Sequence, residues 1–228
     1  MVTIFKHSSP IRSYVLRAGR VTPAQRSAIE RLWAQFGIAN DVPLDPGAIF
    51  GHVDHLTLEI GFGNGDAIAH FALAHPQRQF IGIEVHEPGI GRLLQSIEDN
   101  ALENLRVLRG DAVEVLTRRV PDAALDEVWV YFPDPWPKKR HHKRRLVSES
   151  FAHLLSKKLK PGGIARFATD WTPYAEQMLE VLNQAPQLQN LAENGRYLDR
   201  PSERTLTKFE LRGRRLGHAV HDLAYARI

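Results

Sequence analysis

From Leu56 onward, short apolar runs and helix-like runs alternate five times, and this limits the fold more than any other feature of the chain. Residues 56–60, 80–85, 105–108, 128–132 and 163–169 read as short strands. Residues 68–73, 90–97, 113–120, 146–159 and 174–182 follow them as helices. Repeated β–α units place strands side by side in one direction, with the helices packed on the sheet. The predicted fold is therefore α/β, a largely parallel sheet with helices on both faces. Residues 205–212 alternate in polarity and predict an antiparallel C-terminal edge strand.

The first fifty residues differ. Residues 1–20 show no clear periodicity and carry Lys6, Arg12, Arg17 and Arg20, which reads as an irregular basic extension. Thr22-Pro23 then starts a helix, with Thr22 as cap, Pro23 in the first turn and Gln25 completing a capping box. Ile29, Leu32, Trp33 and Phe36 share one face of it, and Gly37 ends it. Residues 41–51, with two prolines and two glycines, predict a linker. The chain thus divides into 1–50, a basic extension with a helix, and 51–228, the main domain.

Composition excludes several chemistries. The chain has no cysteine, so it has no disulfide framework, no thiolate-held zinc or iron–sulfur cluster and no thiol nucleophile. Eleven histidines occur without a His-Glu-x-x-His pattern, and His141-His142 lie among cations that would repel a metal, so no metal site is expected. No apolar run approaches the roughly 18 residues of a membrane span, and the N-terminus lacks a signal-peptide core. The expected compartment is the cytoplasm. Thirty cations against 26 acids leave +4, and without the six cations of residues 138–145 the remainder would be −2. Basicity is local, as phosphate binding requires, although a charge run is also met as an ordinary solvated loop.

The first strand runs into Glu59-Ile60-Gly61-Phe62-Gly63-Asn64-Gly65-Asp66. Glycines at a strand-to-helix turn admit a ligand close to the backbone. The spacing G-x-G-x-G is not the G-x-G-x-x-G of dinucleotide folds, and Glu59 would repel a pyrophosphate while attracting an ammonium or sulfonium. Both details favour S-adenosylmethionine over a nicotinamide dinucleotide. Glu84, 19 residues beyond Gly65, is placed to accept ribose hydroxyls, and Asp111 in Gly110-Asp111-Ala112 to accept from an adenine amino group. A plain helix-capping role for Asp111 is a serious rival.

Tyr131-Phe132-Pro133-Asp134-Pro135-Trp136-Pro137 follows the fourth strand. Its prolines make a stiff loop that holds one carboxylate in place, and its aromatics offer stacking faces for an extruded purine. Lys138-Lys139-Arg140-His141-His142-Lys143-Arg144-Arg145 comes next as a phosphate-binding strip.

These segments, with Arg12-Ser13-Tyr14-Val15-Leu16-Arg17, Gly82-Ile83-Glu84, Thr169-Asp170-Trp171 and Thr207-Lys208-Phe209-Glu210, resemble the bacterial tRNA (guanine-N7)-methyltransferases over nearly the whole chain. The resemblance implies a Rossmann-like class I methyltransferase fold, with residues 51–228 as the S-adenosylmethionine-dependent domain. It implies transfer of a methyl group to N7 of guanine 46 in the tRNA variable loop. Asp134 is the implied catalytic residue. Glu59, Glu84, Asp111 and Asp134 would contact the cofactor, alongside Gly61, Gly63, Gly65 and Ala112. Lys138, Asp170, Thr207, Lys208, Phe209 and Glu210 would contact the substrate, and Arg140, His141, His142, Lys143, Arg144 and Arg145 the RNA. The expected partner is tRNA, with no membrane and no metal, and the expected assembly is a monomer or homodimer. An adenine N6-methyltransferase, a non-catalytic RNA-binding module and a nicotinamide-dependent dehydrogenase are the rival readings.

Overall fold

The computed structural model describes residues 13–14, 19–39, 42–201, 210 and 219–228. Among them, seven strands form one sheet: β1 (Leu56–Ile60), β2 (Gln79–Glu84), β3 (Leu105–Arg109), β4 (Leu125–Tyr131), β5 (Leu159–Thr169), β6 (Leu188–Asn190) and β7 (His221–Arg227). Their order is β3-β2-β1-β4-β5-β7-β6, with β1 to β5 parallel and β7 antiparallel to both of its neighbours.

Helices pack on the sheet at α1 (Pro23–Phe36), α2 (Pro46–Phe50), α3 (Asp66–Ala74), α4 (Glu87–Asp99), α5 (Ala112–Arg118), α6 (Glu149–Lys158) and α7 (Thr172–Asn183). Strand side chains alternate between two cores. Leu56, Leu58 and Ile60 of β1 join Val128 and Val130 of β4 and Phe167 of β5 under α5, α6 and α7. Phe80, Val107 and Trp129 lie on the other face with Ala28 and Leu32 of α1, Ile68 of α3 and Leu93 of α4. Thr57, Glu59 and Glu84 are buried despite their polarity, so the central strands are sealed on both faces, as parallel sheets require. No helix among the described residues is long and apolar enough to cross a membrane.

The capping box at α1 is present: Gln25 N–H donates to Thr22 Oγ1 at 3.2 Å, and Thr22 N–H to Gln25 Oε1 at 2.9 Å. Gly37 follows α1 and bridges to Val107, where the Ile38 amide donates to the Val107 carbonyl at 2.8 Å.

Three expectations need correction. The supposed linker contains α2, because Asp45 caps it by accepting from Ala48 N–H at 3.1 Å and Pro46 suits its first turn. The fourth predicted helix starts late, at Glu149, where Ser148 caps it, and Leu159 belongs to β5. The antiparallel strand expected at 205–212 is found at His221–Arg227 instead. Of the span 205–212 the structure describes Glu210 alone, and its backbone is helical.

Candidate active site

The carboxyl ends of β1, β2, β3 and β4 open on one cavity. It is lined by Gly61, by Glu84, Val85 and His86, by Gly110 and Ala112, and by Tyr131 to Asp134. Ser13 and Tyr14 close one side of it. This is the rim where open α/β sheets hold ligands.

Glu84 organises the inner end. Its Oε2 accepts from the Gly63 amide at 2.9 Å, and its Oε1 from the Val85 and His86 amides at 2.7 and 3.0 Å. One carboxylate therefore ties the loop after β1 to the loop after β2. Because that tie consumes the Gly63 N–H, this loop is poorly set to cradle a phosphate. Gly65 turns the chain into α3 at φ 78°, and an added Cβ would lie 2.6 Å from Leu93 Cδ1. Gly63 and Gly65 thus shape the loop, while Gly61 faces the cavity.

Glu59 lies buried beneath this loop and outside the cavity lining. Burial, reinforced by the charge of Glu84, raises its pKa to about 8, only partly offset by a hydrogen bond from the Ile68 amide. Its Oε2 is buried without a hydrogen-bond partner. Asp111 also falls outside this lining and borders a neighbouring groove with Arg109 and Glu114. It caps α5, its Oδ1 accepting from Glu114 N–H at 3.0 Å. The helix-cap role is thus realised, while Ala112 beside it faces the cavity.

At the outer end Asp134 is exposed and lines the cavity. Phe132 and Trp136, two residues to either side, have φ of 51° and 45°, a conformation that costs non-glycine residues roughly 1–3 kcal/mol each. Three bonds hold the loop in this shape. The Phe132 amide donates to the Ala168 carbonyl at 2.7 Å, the Trp136 indole Nε1 to the Ser13 carbonyl at 3.1 Å, and Arg145 Nε to the Pro135 carbonyl at 2.8 Å. Stiffness is therefore built from contacts as well as prolines.

The basic segment is ordered as a single 3₁₀ helix, Lys139–Arg144, with Lys138 before it. Lys138, Lys139, Arg140 and Lys143 are exposed, and His141 and His142 are half-buried. Arg144 lies 5.0 Å from the Trp136 ring centroid, and His141 meets the same ring edge-on at 5.8 Å. Burial, followed by the surrounding cations, lowers the His141 pKa. Arg145 departs from its neighbours: it is buried, and its guanidinium points inward.

Asp170 follows β5, and the Phe132–Ala168 bond sets it on the same rim as Asp134, although it does not line the cavity. Glu210, expected to touch substrate, is fully buried and ion-paired with Arg200 at 3.2 Å. Thr207, Lys208 and Phe209 lie outside the described residues.

Two features escaped sequence reasoning. Gly89 packs against the glycine loop so closely that an added Cβ would sit 2.1 Å from the Gly63 carbonyl oxygen, and its signal was a Pro-Gly pair just before a predicted helix. His86 lines the cavity and precedes α4, with no distinguishing sequence pattern.

The donor set suits S-adenosylmethionine. The cavity lining carries two carboxylates, Glu84 and Asp134, and a cationic nucleoside with donor hydroxyls and an amino group calls for such acceptors.

Comparison with known proteins agrees. A family model described as "Putative methyltransferase" matches residues 54–223. A tRNA (guanine-N(7)-)-methyltransferase of Methylococcus capsulatus is 54% identical over 217 residues, 95% of this chain and 94% of that protein. One from Stutzerimonas stutzeri is 51% identical over 219 residues, 96% of this chain and 92% of its own length. Among solved structures, the 16S rRNA methyltransferase KamB superposes with a TM-score of 0.56 at 16% identity, covering 84% of this chain and 98% of that one. A geranyl diphosphate C-methyltransferase of Streptomyces coelicolor does so with a TM-score of 0.50 at 12% identity, covering 78% and 72%. One fold thus serves unlike substrates, and only the fold carries over from these two. Matched by that model over most of its length, and half-identical to full-length relatives, the chain belongs to the methyltransferase family that includes the bacterial tRNA (guanine-N(7)-)-methyltransferases.

Proposed function

We propose that this protein methylates N7 of a guanine in tRNA, at position 46 of the variable loop, with S-adenosylmethionine as methyl donor. One observation carries the reading: an exposed carboxylate, Asp134, is held on a pinned loop at the mouth of the cavity whose inner end is Glu84. The names of the half-identical relatives supply the nucleophile and the RNA.

When bound, S-adenosylmethionine supplies a methyl group on a positively charged sulfur. Glu84, Gly61, Gly110 and Ala112 would hold its nucleoside. Guanine N7 carries a free lone pair, so no residue has to remove a proton from the attacking atom. The protein's work is alignment, and stabilisation of the positive charge that appears on the purine. Asp134 serves both: it accepts from the guanine N1–H or amino group, and its negative charge offsets the charge gained by the ring. Asp170 shares the rim and supplies the second acceptor. Lys138, Lys139, Arg140 and Lys143 bind the RNA backbone, and exposed cations on one short helix are suited to phosphate spacing rather than to reading bases.

The test is incubation with labelled S-adenosylmethionine and unmodified tRNA, then nucleoside analysis. It should yield 7-methylguanosine, lost when guanine 46 is replaced by adenine. N6-methyladenosine would overturn the reaction, and 7-methylguanosine that survives the replacement would overturn the position.

A further inference from the structure

Within the basic run, Arg145 is 5% exposed, while four of the cations before it are open to solvent. Every nitrogen of its guanidinium is engaged or sealed. Nε donates to the Pro135 carbonyl at 2.8 Å. Nη1 donates to Gln177 Oε1 at 2.5 Å and reaches the Pro173 carbonyl at 3.4 Å. Nη2 is buried without a partner. The plane lies over the buried Tyr174 ring, 4.9 Å from its centroid, and the Tyr174 hydroxyl accepts from the Val147 amide at 3.0 Å.

We propose that Arg145 is a positioning residue for methyl transfer, a strut that fixes the Asp134 loop to the head of α7, and not an RNA contact. This rests on the transfer reading above. Pro135 has no N–H, so its carbonyl is the one backbone hydrogen-bonding group it offers, and it directly follows Asp134. Arg145 grips that carbonyl while its other arm holds the first turns of α7. A phosphate could reach the guanidinium only by prising it from these partners. Arg144, its neighbour in the chain, lies over the Trp136 ring, 5.0 Å from the centroid. Two successive arginines thereby clamp one proline-rich loop, and the RNA-facing helix and the carboxylate are held in one frame.

Lysine keeps the charge of Arg145 but has one nitrogen, which cannot span both partners. Arg145→Lys should lower the single-turnover rate at saturating tRNA and cofactor roughly 10- to 100-fold, the cost of misplacing a reacting group by about 1 Å. Its tRNA affinity should stay within about twofold, and Arg145→Gln should leave the salt dependence of binding unchanged. Gln177→Leu removes the uncharged acceptor of Arg145 Nη1 and should lower the same rate several-fold with an unaltered salt slope. It also carries the test should the arginine variants not fold. Near-normal transfer by Arg145→Lys, a salt slope reduced by about one in Arg145→Gln, or a normal rate for Gln177→Leu would each overturn the strut. The wild-type protein separates the two readings: its failure to methylate tRNA counts against the function, whereas wild-type transfer with unaffected variants counts against Arg145 alone.

Discussion

The indole of Trp136 donates to the carbonyl of Ser13, 123 positions earlier in the chain, at 3.1 Å. Both residues belong to the cavity region, Ser13 in its wall and Trp136 in the loop that presents Asp134. The N-terminal segment is thus tied directly to the reactive loop, and the site is assembled from stretches far apart in the chain.

Asp134→Ala should lower methyl transfer by at least about 10²-fold, the loss of roughly 3 kcal/mol of charge stabilisation and alignment. Affinity for tRNA should largely survive, because the exposed cations lie elsewhere. Rapid-quench kinetics beside filter binding would check this, and parallel loss of both would make the carboxylate a structural one.

Glu84→Ala should weaken cofactor binding and also destabilise the fold. Three amides (Gly63, Val85 and His86) would lose their acceptor. With water replacing part of the loss, about 2–3 kcal/mol is expected, or a melting point lower by about 5–10 °C in a chain of this size. Calorimetry with and without S-adenosylhomocysteine reads both effects. A variant that melts like the wild type would remove Glu84 as organiser of the two loops.

Stability should fall as pH rises through the Glu59 window. Its folded pKa, about 8, lies above the ordinary 4.5 because burial and then Glu84 disfavour its charge. Below about pH 4.5 both folded and unfolded chains hold the proton; between there and pH 8 the unfolded chain releases it and the folded one does not. Glu59→Gln removes this difference, so its stability advantage over wild type should grow from pH 5 to pH 8 in urea denaturation. A constant difference across that range would show that Glu59 is ionised in the fold.

Arg140→Ala and Lys143→Ala should each weaken tRNA binding and reduce the slope of log affinity against log salt by about one. Binding titrations between 50 and 200 mM salt decide this, and an unchanged slope would return these side chains to ordinary solvated surface.

Much of this arrangement was legible in the sequence, for identifiable reasons. Each of β1 to β5 contains a short, mostly apolar and buried run, and that pattern is legible in the sequence. Glu59, Glu84, Asp111 and Asp134 were legible as acids at strand ends because the strand ends were. Their division into one buried, one loop-tying, one helix-capping and one exposed carboxylate was not, since it depends on which way each side chain turns. Strand β7 was hidden because its apolar run is only four residues long, with His221-Asp222 before it and Arg227 after it. Arg145 was hidden because a six-residue 3₁₀ helix is too short to show an inward face by periodicity.

The place of β7 in the sheet also sets an order of assembly. It lies between β5 and β6, pairing Thr169 with His221 on one side and Asn190 with Tyr225 on the other. Residues 188–190 therefore cannot dock until residues 221–227 have left the ribosome, some thirty positions later. Until then the β5 margin, which leads to Asp170, stays an open sheet edge. A nascent chain can complete the loops after β1 to β4 early, whereas the margin of β5 is covered only when the last strand of the sheet arrives.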